Sequence, residues 1–158
     1  MSVIDYFGNN LVFRSRPEAI SADFRPLWRM AVVLLILRLA SYGNRSTLSR
    51  LHVLNWAIHS EKNKDNIRII ISGDLPPDKI MVRIEPSLIR AIELTKGEGL
   101  IEYTRGKGIK LTQKGVEAAN KVVSEPNLLS EEKLFLQEIG KRKLTEQLIN
   151  KMFSEEFR

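Results

Sequence analysis

The sequence predicts an α+β domain, mostly helical, with one small β-hairpin. Three observations predict it. An apolar run, Met30–Leu37, lies between Arg29 and Arg38; it is shorter than the about twenty residues of a membrane span and suits a buried helix. A helical pattern, SLIRAIELTKG, passes through glycine into GLIEYT, a tight RGKG turn and IKLT. That is a helix running into a hairpin. Further helical patterns, each behind a capping residue, continue to the end of the chain.

Length and composition bound the rest. The chain has 158 residues, 43% hydrophobic and 28% charged, an ordinary globular mix that buries roughly two-thirds of its surface on folding. There are no cysteines, which excludes a disulfide scaffold, a thiolate zinc site, an iron–sulfur cluster and a cysteine nucleophile. This fits a reducing cytoplasm, where the protein is expected. The start, MSVIDYFGNNLVF, lacks the basic and apolar regions of a signal peptide. No membrane partner is expected.

Each element follows from local signals. Residues 1–24 read as irregular, with a turn at Gly8-Asn9-Asn10 and an extended stretch at Arg16-Pro17. A first helix starts near Pro26 behind Asp23 and stops at Gly43. It is apolar almost all round, so it belongs at the centre of the core. Ser46 caps a second helix, with Leu48, Leu51, Leu54, Ala57 and Ile58 on one face. The next segment, EKNKDNIRIIISG, has a β-branched run that favours a strand. Ile67, Ile70 and Ile71 also fit a helix face and Gly73 a helix end, and the helix is the preferred reading. Asp74–Asp78 is a loop, and Ile80–Ile84 alternates as a short strand.

Pro86 or Ser87 opens a helix with Leu88, Ala91 and Ile92 inward and Gly97 and Gly99 at its end. The hairpin follows, its turn needing glycine because primed turns use positive φ. Thr112 caps the next helix and Pro126 ends it; Ser130 caps another, with two glutamates in its first turn. Leu144 and Ile149 staple a last helix behind Thr145. This order, helix–helix–strand–helix–strand–turn–strand–helix, is that of a winged helix. Residues 1–123 form its core domain, with an irregular N-terminal segment, and 124–158 a C-terminal helical appendage.

Charge is uneven. The net charge is +6. Residues 1–60 carry seven Arg against three acids, and 83–123 carry eight bases against five acids; the rest is near neutral. A basic front and middle suits a polyanion, although a solvated basic surface fits as well. Arg105, Lys107, Lys110 and Lys114 fall in an acid-free stretch across the hairpin. In a winged helix this hairpin is the wing, able to lie on a phosphate backbone; the alternative is charge that keeps an exposed hairpin soluble. The helix before it adds Arg90 and Lys96, crowded by Glu85, Glu93 and Glu98, a poor set for reading bases. About 25 residues also separate it from the second helix, where a compact helix-turn-helix has a few.

Catalytic patterns do not emerge. His52 and His59 lie seven apart without a third ligand and read as ordinary histidines. The glycines at 97, 99, 106 and 108 do not match phosphate-loop spacing. No enzyme activity, metal or cofactor is expected. Trp28 and Trp56 sit in apolar stretches and read as core. The stripe Leu148, Ile149, Met152 and Phe153, with Phe157 beyond, reads as a face for a partner or second copy, with packing on its own domain as the alternative.

The stretches RSRPEAI, RPLWRMAVVLLILRLASYGNRSTLSRLHVLNWAIHS and VRIEPSLIRAIELTKGEGLIEY, then GKGIKLTQKG, resemble a small middle component of bacterial three-component ABC/SMC-like ATPase systems, as in Lamassu-type antiphage defence. The resemblance covers roughly residues 12–118. It implies an accessory subunit beside a coiled-coil ATPase and an effector, commonly a nuclease; DNA is a further partner suggested by the basic hairpin rather than by the resemblance. ATP and magnesium would then belong to the ATPase, and the resemblance brings no catalytic residues to this chain. The rival reading is a free-standing, dimeric winged-helix transcription regulator.

Overall fold

A computed structural model describes residues 25–153. The segment 1–24, with the Asp23 cap and the Arg16-Pro17 stretch, and the tail with Phe157 lie outside the described residues. The order is α1 (Arg25–Leu39), β1 (Arg45–Thr47), α2 (Leu48–Ala57), α3 (Glu61–Ser72), α4 (Pro86–Gly97), β2 (Ile101–Tyr103), β3 (Gly108–Leu111), α5 (Gln113–Ser124), α6 (Ser130–Ile139) and α7 (Glu146–Lys151). The molecule is mostly helical, with one three-stranded antiparallel sheet in the order β1–β3–β2. No helix among the described residues is long and apolar enough to cross a membrane.

Helix α1 is the axle. Met30 to Leu37 are all buried, because α2, α4, α5 and α6 pack around it. A leucine-rich helix with no polar face gains most when it is covered on every side. The helix ends at Leu39, before the expected Gly43, which takes a left-handed φ of 67° in the short turn Tyr42–Asn44. Helix α2 is nearly as buried and carries Arg50, His52 and Asn55 into the interior. Residues 61–72 are helical, with Ser60 accepting from the Asn63 N–H and Gly73 left-handed at the end. Here α3 buries Ile67 and Ile70 and ties to α6 through Arg68, whose guanidinium donates to both Glu138 oxygens at 2.8 Å.

Three expectations are corrected. Ser46 is not a helix cap: pairing with β3 holds residues 45–47 extended, and Thr47 receives the Arg50 N–H instead. Ile80–Ile84 is not a strand; it runs without ladder partners, and its Val82 N–H donates to the Met152 carbonyl at 3.0 Å. Ser130 is the first residue of α6 rather than its cap, and its hydroxyl donates to the Pro126 carbonyl. Residues 128–153 contribute to the buried core. Leu128, Leu136, Ile139, Leu144 and Ile149 belong to the same core as α1 and α2. Lysine 133 adds a polar tie: its buried ammonium donates to the Val122, Val123 and Glu125 carbonyls and so caps the end of α5.

Candidate nucleic-acid interface

The hairpin is anchored from below. Gly99, at φ 76°, lets the chain leave α4, and Leu100 and Ile101 drop into the core. Thr112 donates its hydroxyl to the Gly99 carbonyl at 2.6 Å and its N–H to the Leu100 carbonyl, closing the hairpin's base. The register pairs Ile101 with Leu111, Glu102 with Lys110 and Tyr103 with Ile109. At the tip Gly106 and Lys107 are both left-handed, at φ 85° and 68°, the backbone sign that primed turns require.

This scaffold distributes the six expected contact residues unequally. Arg105 and Lys107 are exposed at the tip. Lys110 is exposed on the sheet's outer face, between Arg45 of β1 and Glu102 of β2. Lys114 sits at the base, where its ammonium donates to the Glu98 carbonyl at 3.0 Å. Lys96 lies 4.4 Å from the Tyr103 ring centroid, and the Tyr103 hydroxyl donates to Glu93 at 2.8 Å. That hydrogen bond, with some burial, raises the tyrosine's pKa. Arg90 and Lys96 are six residues apart, hence about 120° apart around α4, so Arg90 lies on the opposite flank. The hairpin therefore gathers Arg105, Lys107 and Lys110, with Lys114 held at its base. Lys96 is engaged by an aromatic ring, and Arg90 stands apart among exposed Ile89 and Leu94.

Arg45 was missed from the sequence. The sequence there carries no signal, since Arg45-Ser46-Thr47 are all polar and alternate exposed, buried, exposed only in the fold. The apolar stripe near the end is turned inward. Ile149, Met152 and Phe153 are buried and Leu148 packs partly buried against them, so the stripe serves the chain's own core. Its proximity to α2 explains why: Phe153 meets the His52 ring edge-on at 6.4 Å. Trp28 and Trp56 are partly buried against the same core.

The two histidines have separate roles. His59 is exposed; its Nδ1 donates to the Asn55 carbonyl at 2.6 Å, and Nε2 lies 3.6 Å from Glu85. His52 is buried and its Nε2 has no hydrogen-bond partner. Burial pushes His52 below the usual histidine value, against the raising effect of Glu85, which also lies near Arg29. Above about pH 6.5 the ring is neutral in both states. As pH falls below that, the unfolded chain takes up a proton that the folded ring resists, so stability declines. Urea titrations at neutral and mildly acidic pH should show a smaller acid loss for His52→Gln than for wild type. Equal losses would remove this role for the ring.

Compared with family models, curated proteins and solved structures, the chain gives no match.

Proposed function

We propose that the chain is a non-catalytic, winged-helix subunit of a bacterial SMC-like ATPase defence complex, bridging the ATPase and a nuclease effector and touching DNA through its wing. The observation that carries the DNA contact is the cationic hairpin: Arg105 and Lys107 exposed at a left-handed tip, with Lys110 on the adjoining sheet face. The strand order β1–β3–β2, with α4 leading straight into the hairpin, supports the winged-helix reading. The place in an ATPase complex rests on the sequence resemblance.

The exposed side of α4 favours a subunit over a sequence-reading regulator. It presents a single arginine, Arg90, among Ile89, Glu93 and Leu94, and its Lys96 is stacked on Tyr103. Arginine, lysine, asparagine and glutamine are the usual side chains for reading base edges in the major groove. Contacts from the hairpin to phosphate position a protein without reading sequence.

The test changes Arg105, Lys107 and Lys110 together to Glu. Lys107 is already left-handed without being glycine, so Glu adds no new backbone strain there. Affinity for mixed-sequence DNA duplexes should fall on the order of tenfold or more, about equally for every sequence. The log–log salt slope should shrink by about three, roughly one per lost contact. Unchanged affinity and slope in a folded variant would rule out the wing as a DNA contact. Loss of the ATPase partner with DNA binding intact would make the hairpin a protein-docking surface.

A further inference from the structure

We propose a second phosphate-binding site, formed by Arg45, Lys141 and Arg142 around the Tyr42–Asn44 turn, which continues the basic face from the wing across the sheet. It rests on the reading of the wing as a nucleic-acid contact, and its ligand is the same duplex backbone.

The site is assembled from segments far apart in sequence. Lys141, Arg142 and Lys143 form a run of exposed bases between α6 and α7. Both ends of that loop are fixed. Gly140 takes φ 66° at the end of α6, and Lys143 donates to the Glu138 carbonyl at 3.2 Å. Leu144 is buried, and its carbonyl accepts from the Arg50 guanidinium. Lys141 and Arg142 are thus left on a short, pinned loop.

Arg142 is stacked: its guanidinium carbon lies 5.2 Å from the centroid of the Tyr42 ring. Tyr42 opens a turn whose next residues, Gly43 and Asn44, are left-handed at φ 67° and 57°. Arg38 holds that turn by donating to the Asn44 side-chain oxygen at 3.3 Å. Arg45 then starts β1 and folds back over the same turn, its Nε 3.6 Å from where a Gly43 Cβ would stand. Two guanidinium groups therefore share one turn. Arg45 also pairs across the ladder with Lys110, which joins this turn to the wing. Four residues of β3 at about 3.3 Å each span roughly 13 Å. A duplex shows a phosphate every ~1.7 Å of its axis, so several can face the track.

The charge is left unbalanced among the described residues. Among the described residues no ion pair engages Arg45, Lys110, Lys141 or Arg142. Glu102 adjoins Lys110 across the ladder, and Glu146, at the border, is taken up by Thr47 and Arg50. Like charges opposed across a sheet weaken it, and a bound polyanion relieves that repulsion. A stacked arginine has already lost much of its freedom and still offers its donor edge to phosphate. Among the described residues the face also lacks the exposed apolar centre by which a protein partner is held; its Tyr42 ring carries Arg142. A nucleic-acid backbone fits better than an acidic protein.

The experiment compares Lys141→Glu/Arg142→Glu in the full chain with wild type and with the wing variant, using a fluorescent mixed-sequence duplex over a salt series. We expect affinity to fall at least several-fold and the salt slope to drop by about two, with melting temperature unchanged. Arg142→Lys, which keeps the charge but not the planar stack, should retain only part of the binding. If the Glu pair lowers melting temperature, Lys141→Gln/Arg142→Gln gives the same reading with smaller effect. Full affinity in the loop variant while the wing variant is weakened overturns this site and leaves the wing reading standing. Weakening by the loop variant alone supports this site and removes the wing. A wild-type chain that binds no duplex overturns both. Retained duplex binding with loss of a co-purifying protein also overturns the site, making it a protein contact.

Discussion

Gly115→Ala should destabilise the chain by about 2–4 kcal/mol, although alanine normally favours a helix over glycine by about 1 kcal/mol. Gly115 lies in the first turn of α5, with Thr112 as the cap accepting its N–H. A Cβ there would stand 1.9 Å from the Leu100 carbonyl oxygen, 2.9 Å from its carbon and 3.1 Å from the Leu111 side chain. The obstacle is backbone, so no rotamer change relieves it. Separation of α5 from residue 100 would also strain the Thr112 N–H bond to the same Leu100 carbonyl. Overpacking costs typically 1–3 kcal/mol, and a weakened buried hydrogen bond adds about one more. Gly97→Ala is the internal control: nothing lies within 4 Å of its Cβ position, so stability should hold or rise slightly. Urea unfolding of both variants checks this. If Gly115→Ala matches wild type, α5 does not press on the hairpin's root.

That contact shows what a sequence can and cannot announce. The helix-to-hairpin passage was legible because its signals are local: apolar spacing in α4, glycines at 97 and 99, a glycine-flanked turn and a threonine cap. Helix α3 was legible from Ile67, Ile70 and the terminal Gly73 despite its β-branched run, because helical spacing buries those residues while the charged side faces water. Strand β1 was not. Three residues hold no periodicity, and they become a strand only because β3, some sixty positions later, supplies the ladder. Ile80–Ile84 erred in the other direction: its alternation is real, but its backbone bonds are a local turn bond from Ile80 to Pro77 and one from Val82 to Met152, not a ladder. The stripe at 148–153 shows a further limit, since an apolar face looks the same whether its cover comes from the chain or from a partner. Of the candidate interface, the hairpin's bases stood out as a cluster. Arg45 and Arg142 did not, because they meet the Tyr42–Asn44 turn only in the fold.

Arg50→Met is expected to cost roughly 2–5 kcal/mol and to loosen α7 before the rest of the molecule. Arg50 is 4% exposed. Its Nε donates to the Ala40 carbonyl at 2.8 Å and its Nη1 to the Leu144 carbonyl, with Glu146 4.0 Å away. One side chain on α2 thus holds the segment leaving α1 and the segment entering α7. Burial lowers its pKa, against the raising effect of Glu146, yet a guanidinium stays charged throughout the neutral range. Methionine would end the burial of that charge, a gain that often offsets much of a buried ion's worth. It would also leave two buried carbonyls without donors, at about 1–3 kcal/mol each, and the second loss dominates because neither carbonyl is free to turn to water. Arg50→Lys keeps the charge but replaces a planar fork with a single point, so it should recover only part of the stability. Hydrogen exchange should show α7 amides opening first, and a variant with wild-type stability and exchange would refute the tie. Because Leu144 also fixes the loop carrying Lys141 and Arg142, Arg50→Met should weaken duplex binding under conditions where the chain is still folded. The duplex would then lose the held loop rather than its charges, so the salt slope should change less than in the charge-reversal variant.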